Sequence, residues 1–359
     1  MHRTLHNLQA LRGVACLAVV VYHVAQAEAG YGLGFNPLRP ARWLGYAGVD
    51  LFFVLSGFII TATSRADLGR PAKLPRYLFR RVWRIYPTYW AGVGLSAVLL
   101  AAATGAAGFG PGLAADLLLL PRDELPQVVP VAWTLRYEMM FYLAFAALFL
   151  LPARAAVPAL AGWAAAVAAA GAAGQLPETP AGRMAASPFV LEFMAGALLA
   201  WWPARWSGRQ AAGLVLVAVA WVAVASALAY RPDPNWLPTA SWPRVLVFGP
   251  PAALAVLAAG GWERAGGRLR WRWLTAVGDA SYSVYLTHAA AMVAAVVLTA
   301  GLGHTRLPHL GWIALMLAAG VAPGLLLYRF VERPLLNLVK RPRKAVPPAD
   351  APAPLRRAA

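Results

Sequence analysis

Arg12 and His23 stand eleven positions apart within Leu8–Ala27, a run apolar enough to span a bilayer. At about 100° and ~1.5 Å per residue, that interval is roughly three helical turns. Both side chains then leave one helix face, roughly 16 Å apart. An ionisable residue inside a membrane span is costly and marks a functional site by default. An arginine at one boundary and a histidine deep in the membrane suit a reaction fed from the cytoplasm and completed further out. The plain alternatives are a snorkelling arginine and a hydrogen-bonded core histidine.

Four further groups sit at comparable depth. Asp50 lies near the outer end of the second apolar stretch, level with the His23 half of the first. It reads as a helix cap, or as a carboxylate that orients the histidine and raises its basicity. Ser56-Gly57, deeper in the same stretch, is a small pair that lets helices approach closely. Glu138 is about two turns into the stretch opened by Trp133-Thr134-Leu135-Arg136-Tyr137. Arg136 is two positions away and faces elsewhere on a helix, so Glu138 needs a partner on another helix. That partner is a structural cation, a sugar hydroxyl or His23. Ser281, Tyr285 and His288 follow i, i+4, i+7 spacing and form a polar stripe that must face a cavity or a neighbouring helix. Arg80, Arg81 and Arg84 precede the third stretch, with Arg81 and Arg84 one turn apart. Such a cluster is either positive-inside charge or a fork for phosphate. Cys16 is the only cysteine and reads as packing, so neither a disulfide framework nor a cysteine metal site is expected, and no metal is assigned. His304 and His309 lack partner spacing.

The elements that must hold these groups are membrane helices. Of 359 residues, 60% are hydrophobic and 13% charged, and mean hydropathy is +0.58. A soluble domain carries about a quarter charged residues. The net charge of +18 does not point to nucleic acid, because the basic residues cluster between apolar spans. Ten spans are expected: Leu8–Ala27, Tyr46–Ser64, Ile85–Ala107, Val131–Leu151, Ala156–Ala173, Pro188–Trp202, Ala211–Ala229, Val245–Gly260, Ala276–Leu298 and Gly311–Val331. The sixth and eighth are short, and Pro250-Pro251 interrupts the eighth. Asp116–Leu120 is too short to cross and reads as interfacial or re-entrant. Ten spans put both termini on one side, and 24 of the 32 lysines and arginines fall there. Arg136 and Arg244 count among the eight on the other side. The bias predicts cytoplasmic termini. The first span lacks a signal-peptide cleavage site. The fold class is therefore an all-α membrane protein of about ten transmembrane helices. Residues 1–335 form the membrane domain, and 336–359 a basic, Pro/Ala-rich disordered cytoplasmic tail.

Taken together, the chain resembles the acyltransferase family 3 membrane proteins, which O-acylate bacterial surface polysaccharides, nodulation factors and related glycans. The resemblance rests on Leu11-Arg12-Gly13 with His23, on Gly48 to Phe58, and on Arg80-Arg81-Val82-Trp83-Arg84-Ile85-Tyr86-Pro87. It extends to Trp133–Glu138 with Phe141-Tyr142, to Ser281–His288, and to Glu332-Arg333-Pro334. Gln9 stands where an acidic residue is common, and Thr134 where serine is common. Residues 150–275 match in hydropathy alone. The resemblance implies a multi-pass enzyme of the bacterial inner membrane. It would move an acyl group, usually acetyl, from acyl-CoA to a carbohydrate or glycan hydroxyl, with acetyl-CoA the donor and no metal. Arg12, Arg81 and Arg84 would face the coenzyme A phosphates. His23 would act as general base or carry the acyl group, with Asp50 or Glu138 orienting it. Ser281, Tyr285 and His288 would line the substrate channel, with Tyr285 and His288 shaping it or stabilising the oxyanion. A proton-coupled transporter or flippase of a glycan or small organic acid would use the same intramembrane groups without acyl-CoA. A catalytically silent partner subunit would tolerate loss of His23.

Overall fold

A computed structural model describes residues 5–30, 37–38, 41–175, 177–229, 241–301 and 308–340. His304 and the tail from 341 onward lie outside the described residues. The structure is helical, with no strand among the described residues. In chain order the α-helices are α1 (His6–Gly30), α2 (Ala41–Leu44), α3 (Ala47–Ser64), α4 (Leu74–Thr104), α5 (Leu113–Leu117), α6 (Trp133–Ala146) and α7 (Ala156–Ala172). They continue as α8 (Pro180–Ala185), α9 (Phe189–Leu199), α10 (Gly208–Ala229), α11 (Trp242–Arg264), α12 (Arg272–Gly301), α13 (His309–Leu327) and α14 (Arg333–Lys340).

Each of the ten expected spans coincides with a helix. Eight helical segments among the described residues are long and apolar enough to cross a membrane. The fourth and sixth spans are not among them. α6 has 14 residues and α9 has 11, about 21 and 16 Å of helix against a hydrocarbon core of about 30 Å. The chain is a multi-pass membrane protein.

The basic cluster Arg80, Arg81 and Arg84 precedes its apolar stretch on the same helix, since α4 already starts at Leu74. Two expectations need correction. Pro250-Pro251 does not interrupt the eighth span, because α11 runs through both. Pro250 has no N–H for the Leu246 carbonyl, and the Trp221 indole of α10 donates to that carbonyl instead, at 3.0 Å. Residues 336–340, assigned to the disordered tail, are the end of α14. The short segment near 116 is a helix, α5, held by α4. Tyr86 and Tyr89 hydroxyls and the Trp90 indole donate to the carbonyls of Leu118, Asp116 and Leu117 at 2.7, 2.8 and 3.0 Å.

Small residues set the packing. A Cβ on Gly278 of α12 would sit 1.8 Å from the Gln9 carbonyl, and one on Gly13 would sit 2.3 Å from that of Leu274. α1 and α12 therefore lie backbone to backbone. Gly48 plays the same part between α3 and α1. Gly57 and Gly196 do so between α3 and α9, where each added Cβ would lie 1.9 Å from a carbonyl of the other helix. At the start of α1, the Glu263 carboxylate accepts from the His6 and Asn7 amides at 2.6 and 2.9 Å. An acid there satisfies orphan N–H groups and the helix dipole. At the other end of α1, buried Glu28 accepts from His309 at 2.6 Å. The helix that carries Arg12 and His23 is pinned at both ends.

Candidate functional site

Two cavities meet inside the bundle. The first spans about 910 Å³, part of it open to solvent, and Arg12, Arg81, Arg84, Glu138, Tyr142 and Ser281 face it. The second spans about 700 Å³, also partly open, and His23, Tyr22, Gln26, Tyr46, Trp133 and Arg244 face it. Val49 and Tyr285 line both and form the partition. Arg12 and His23 leave one helix face as their spacing predicts, yet open into different chambers.

In the first chamber each arginine is oriented by a neighbour. Arg12 donates through Nε and Nη2 to Ser281 Oγ, at 3.3 and 2.9 Å. Arg81 donates to Thr63 Oγ1 at 3.1 Å and lies over the rings of Tyr77 and Tyr142. Arg84 is ion-paired with buried Glu332 and lies over the Tyr282 ring, 5.5 Å from its centroid. Arg80 is exposed and faces away. Glu138 accepts from Ser56 Oγ at 3.3 Å and from the Tyr142 hydroxyl. Three guanidinium groups against two carboxylates, Glu138 and the Glu332 paired with Arg84, leave this chamber a net positive charge suited to a polyanion.

The second chamber is built differently. His23 has its ring 5.0 Å from that of His288 and 5.0 Å from that of Tyr22. Gln26, lining the same chamber, donates from its side-chain amide to the Tyr22 hydroxyl at 2.7 Å. His288 is fully buried, and its Nδ1 lies 2.8 Å from the Tyr285 carbonyl and 3.2 Å from that of Val284. A carbonyl only accepts, so Nδ1 carries the proton. His288 Nε2 has no hydrogen-bond partner among the described residues.

Asp50 does not meet His23. Its carboxylate is gripped by Arg244, from Nε at 3.1 and 3.2 Å and from Nη2 at 2.8 Å. Both side chains are almost completely buried. Arg244 also lies over the rings of Tyr46 and Phe189, at 4.9 and 4.8 Å. Arg244, counted on the side opposite the termini, sits in the first turn of α11 and closes a buried ion pair with α3. Arg136, also counted there, is buried against Asp116 at 2.7 Å and the Glu124 carbonyl at 2.6 Å. It holds the connection whose Leu125, Pro130 and Val131 wall the second chamber. On that connection exposed Glu124 is held below the usual carboxylate range by its own backbone N–H and by Arg122.

Tyr285 is no free oxyanion donor. Its hydroxyl donates to the Val131 carbonyl at 2.7 Å and accepts from Thr134 Oγ1 at 2.9 Å. Its place is in the partition. Sequence reasoning gave no part to Arg244, Glu332 or Glu192, the last buried with neither carboxylate oxygen partnered among the described residues. Each is an ionisable residue inside or bounding an apolar run, which was the available signal. No group of three or more His, Cys, Asp or Glu side chains among the described residues is placed to hold a metal ion.

Comparison with known proteins fits this geometry. Residues 5–329 match the family model described as an acyltransferase domain. The chain is 33% identical to the exopolysaccharide production protein ExoZ of Rhizobium meliloti, over 82% of this chain and 90% of that one. It is 29% identical to the acyltransferase MdmB of Streptomyces mycarofaciens, over 98% of this chain and 95% of that one. A 90-residue stretch is 36% identical to the putative peptidoglycan O-acetyltransferase YrhL of Bacillus subtilis, covering 24% of this chain and 12% of that protein. No solved structure matches.

Proposed function

The chain belongs to the acyltransferase domain family of membrane enzymes, and we propose that it transfers an acetyl group from acetyl-CoA to a hydroxyl of a surface glycan. The supporting observation is the pair of adjoining chambers, one with three arginines and the other with His23. The arginine chamber faces the cytoplasm in this reading and receives the coenzyme A phosphates on Arg12, Arg81 and Arg84. A pantetheine arm reaches about 15–20 Å when extended, enough to bring a thioester from those arginines to the partition at Val49 and Tyr285. The glycan enters the His23 chamber from the opposite face.

His23 then takes the proton of the acceptor hydroxyl as its oxygen attacks the thioester carbonyl. A C–O bond forms, the C–S bond breaks, and the proton passes to the departing thiolate, releasing free coenzyme A. The rings of Tyr22 and His288 hold the imidazole; Asp50 and Glu138 have other partners and act at a distance from it. Glu138, bonded to Ser56 and Tyr142, fixes the polar wall along which the thioester arm runs. The names of the polysaccharide and peptidoglycan relatives support a carbohydrate acceptor.

The test is free coenzyme A released from acetyl-CoA by protein in nanodiscs, with and without cell-envelope glycan. Glycan-stimulated release, lost in His23→Ala, supports the reading. Well-folded protein that neither binds nor turns over acetyl-CoA or other acyl-CoAs would sink the donor assignment and favour a transporter.

A further inference from the structure

The tripeptide Glu332-Arg333-Pro334 plays no part in the scheme above. Its geometry points to one. α13 is regular to Leu327, and the backbone then widens into a single π turn over Tyr328–Glu332, closed by the Arg333 N–H on the Tyr328 carbonyl. Pro334 accounts for the widening. It has no N–H to give, and its ring crowds the carbonyl four residues back, that of Phe330. A turn with one extra residue relieves both faults.

The wide turn also chooses which side chain points inward. Arg329, Phe330, Arg333 and Pro334 are exposed, while Glu332 is completely buried. Its two oxygens are divided between two helices. Oε1 takes Arg84 Nη1 of α4, and Oε2 accepts from Ser283 Oγ of α12 at 2.6 Å. The preceding residue of α4 completes the clamp, since Trp83 Nε1 donates to the Leu335 carbonyl at 3.0 Å. Arg84, so held, lines the first chamber.

We propose that Glu332 is a positioning residue for the donor: through Pro334 and the π turn it fixes the Arg84 guanidinium in the orientation that binds a phosphate of the donor. This rests on the donor reading above. Charge alone predicts the opposite sign, which makes the proposal testable. Removing a carboxylate beside Arg84 leaves the chamber more positive and, by Coulomb attraction, should tighten an anion. Removing a positioning group should loosen it.

The experiment uses the full chain in nanodiscs with inorganic pyrophosphate as the probe, read by intrinsic tryptophan fluorescence, alongside acetyl-CoA kinetics. Glu332→Ala and Glu332→Gln should each weaken pyrophosphate about tenfold, the size of one lost charge-assisted hydrogen bond. Each should raise the acetyl-CoA KM by a similar factor while kcat stays within about threefold, the pattern of lost uniform binding. Arg84→Ala should do the same, and adding Glu332→Ala to it should cost nothing more, because the two residues act as one unit. Unchanged or tighter pyrophosphate in the Glu332 variants overturns the proposal, as do multiplicative effects in the double variant. If Glu332→Ala does not fold, the isosteric Gln variant carries the test. Wild type that binds pyrophosphate but neither binds acetyl-CoA nor turns it over with glycan present refutes the donor reading, and Glu332 is then judged on binding alone. Wild type that turns over acetyl-CoA but ignores pyrophosphate refutes the role of Glu332 and leaves the transfer standing.

Discussion

A histidine serves as a base only if a ring nitrogen is open to the substrate and the ring cannot wander. His23 meets the second condition through the rings of Tyr22 and His288, the latter's tautomer fixed by the Tyr285 and Val284 carbonyls. Replacing His23 by Ala or Gln should lower acetyl transfer by about 10²–10⁴-fold, the usual worth of a positioned base, with the thermal unfolding curve unchanged. Asp50 carries a different expectation. It is bound to Arg244 out of contact with water, so a lone Asp50→Asn strands a buried cation and should cost about 3–5 kcal/mol of stability. The paired change Asp50→Asn with Arg244→Met should restore most of that, because a buried ion pair is often replaceable by apolar packing. Unfolding in detergent measures both. If the double variant regains stability and also activity, Asp50 is structural; if it regains stability alone, Asp50 or Arg244 takes part in the reaction itself.

At the scale of elements, much was legible in the chain because membrane helices announce themselves locally. Each stretch that hydropathy marked contains a helix, eight of them among the described residues long and apolar enough to cross, and the i, i+4, i+7 stripe met other segments: Ser281 meets Arg12, Tyr285 meets Val131 and Thr134, and His288 meets His23. What stayed hidden depends on contacts between segments far apart in the chain. Asp50 and Arg244 are 194 positions apart, and no local pattern pairs them. Pro250-Pro251 reads as a break because a proline orphans a carbonyl; the sequence does not reveal that Trp221 is there to satisfy it. In hydrocarbon such a carbonyl has no water to turn to. Trp221→Phe should therefore lower stability by about 1 kcal/mol, the net worth of one hydrogen bond on the exposed face of α11. Adding Pro250→Ala restores a backbone N–H and should recover most of the loss. The early start of α4 was missed for a related reason: arginines carried on a helix that leaves the membrane look like a loop to a hydropathy window.

For the whole molecule, the proposed transfer divides its labour between the two faces of a membrane. Arg12, Arg81 and Arg84 line one chamber and His23 the other. In that scheme a soluble, highly charged donor and a large glycan never need to share a compartment. The acyl group would cross through the gap beside Val49 and Tyr285, and coenzyme A would stay where it bound. Sealed vesicles put this to the test. With the arginine end outward, acetyl-CoA added outside should acetylate glycan trapped inside, and free coenzyme A should appear outside alone. A bulkier partition should throttle this without harming either binding step. Val49→Phe is the variant of choice, since Val49 lines both chambers and is itself largely buried. Transfer should fall at least tenfold, because overpacking closes the passage, while acetyl-CoA affinity holds within about twofold, because the arginines are untouched. If the variant instead loses acetyl-CoA affinity and keeps its maximal rate, the partition belongs to the donor pocket and the acyl group takes another route.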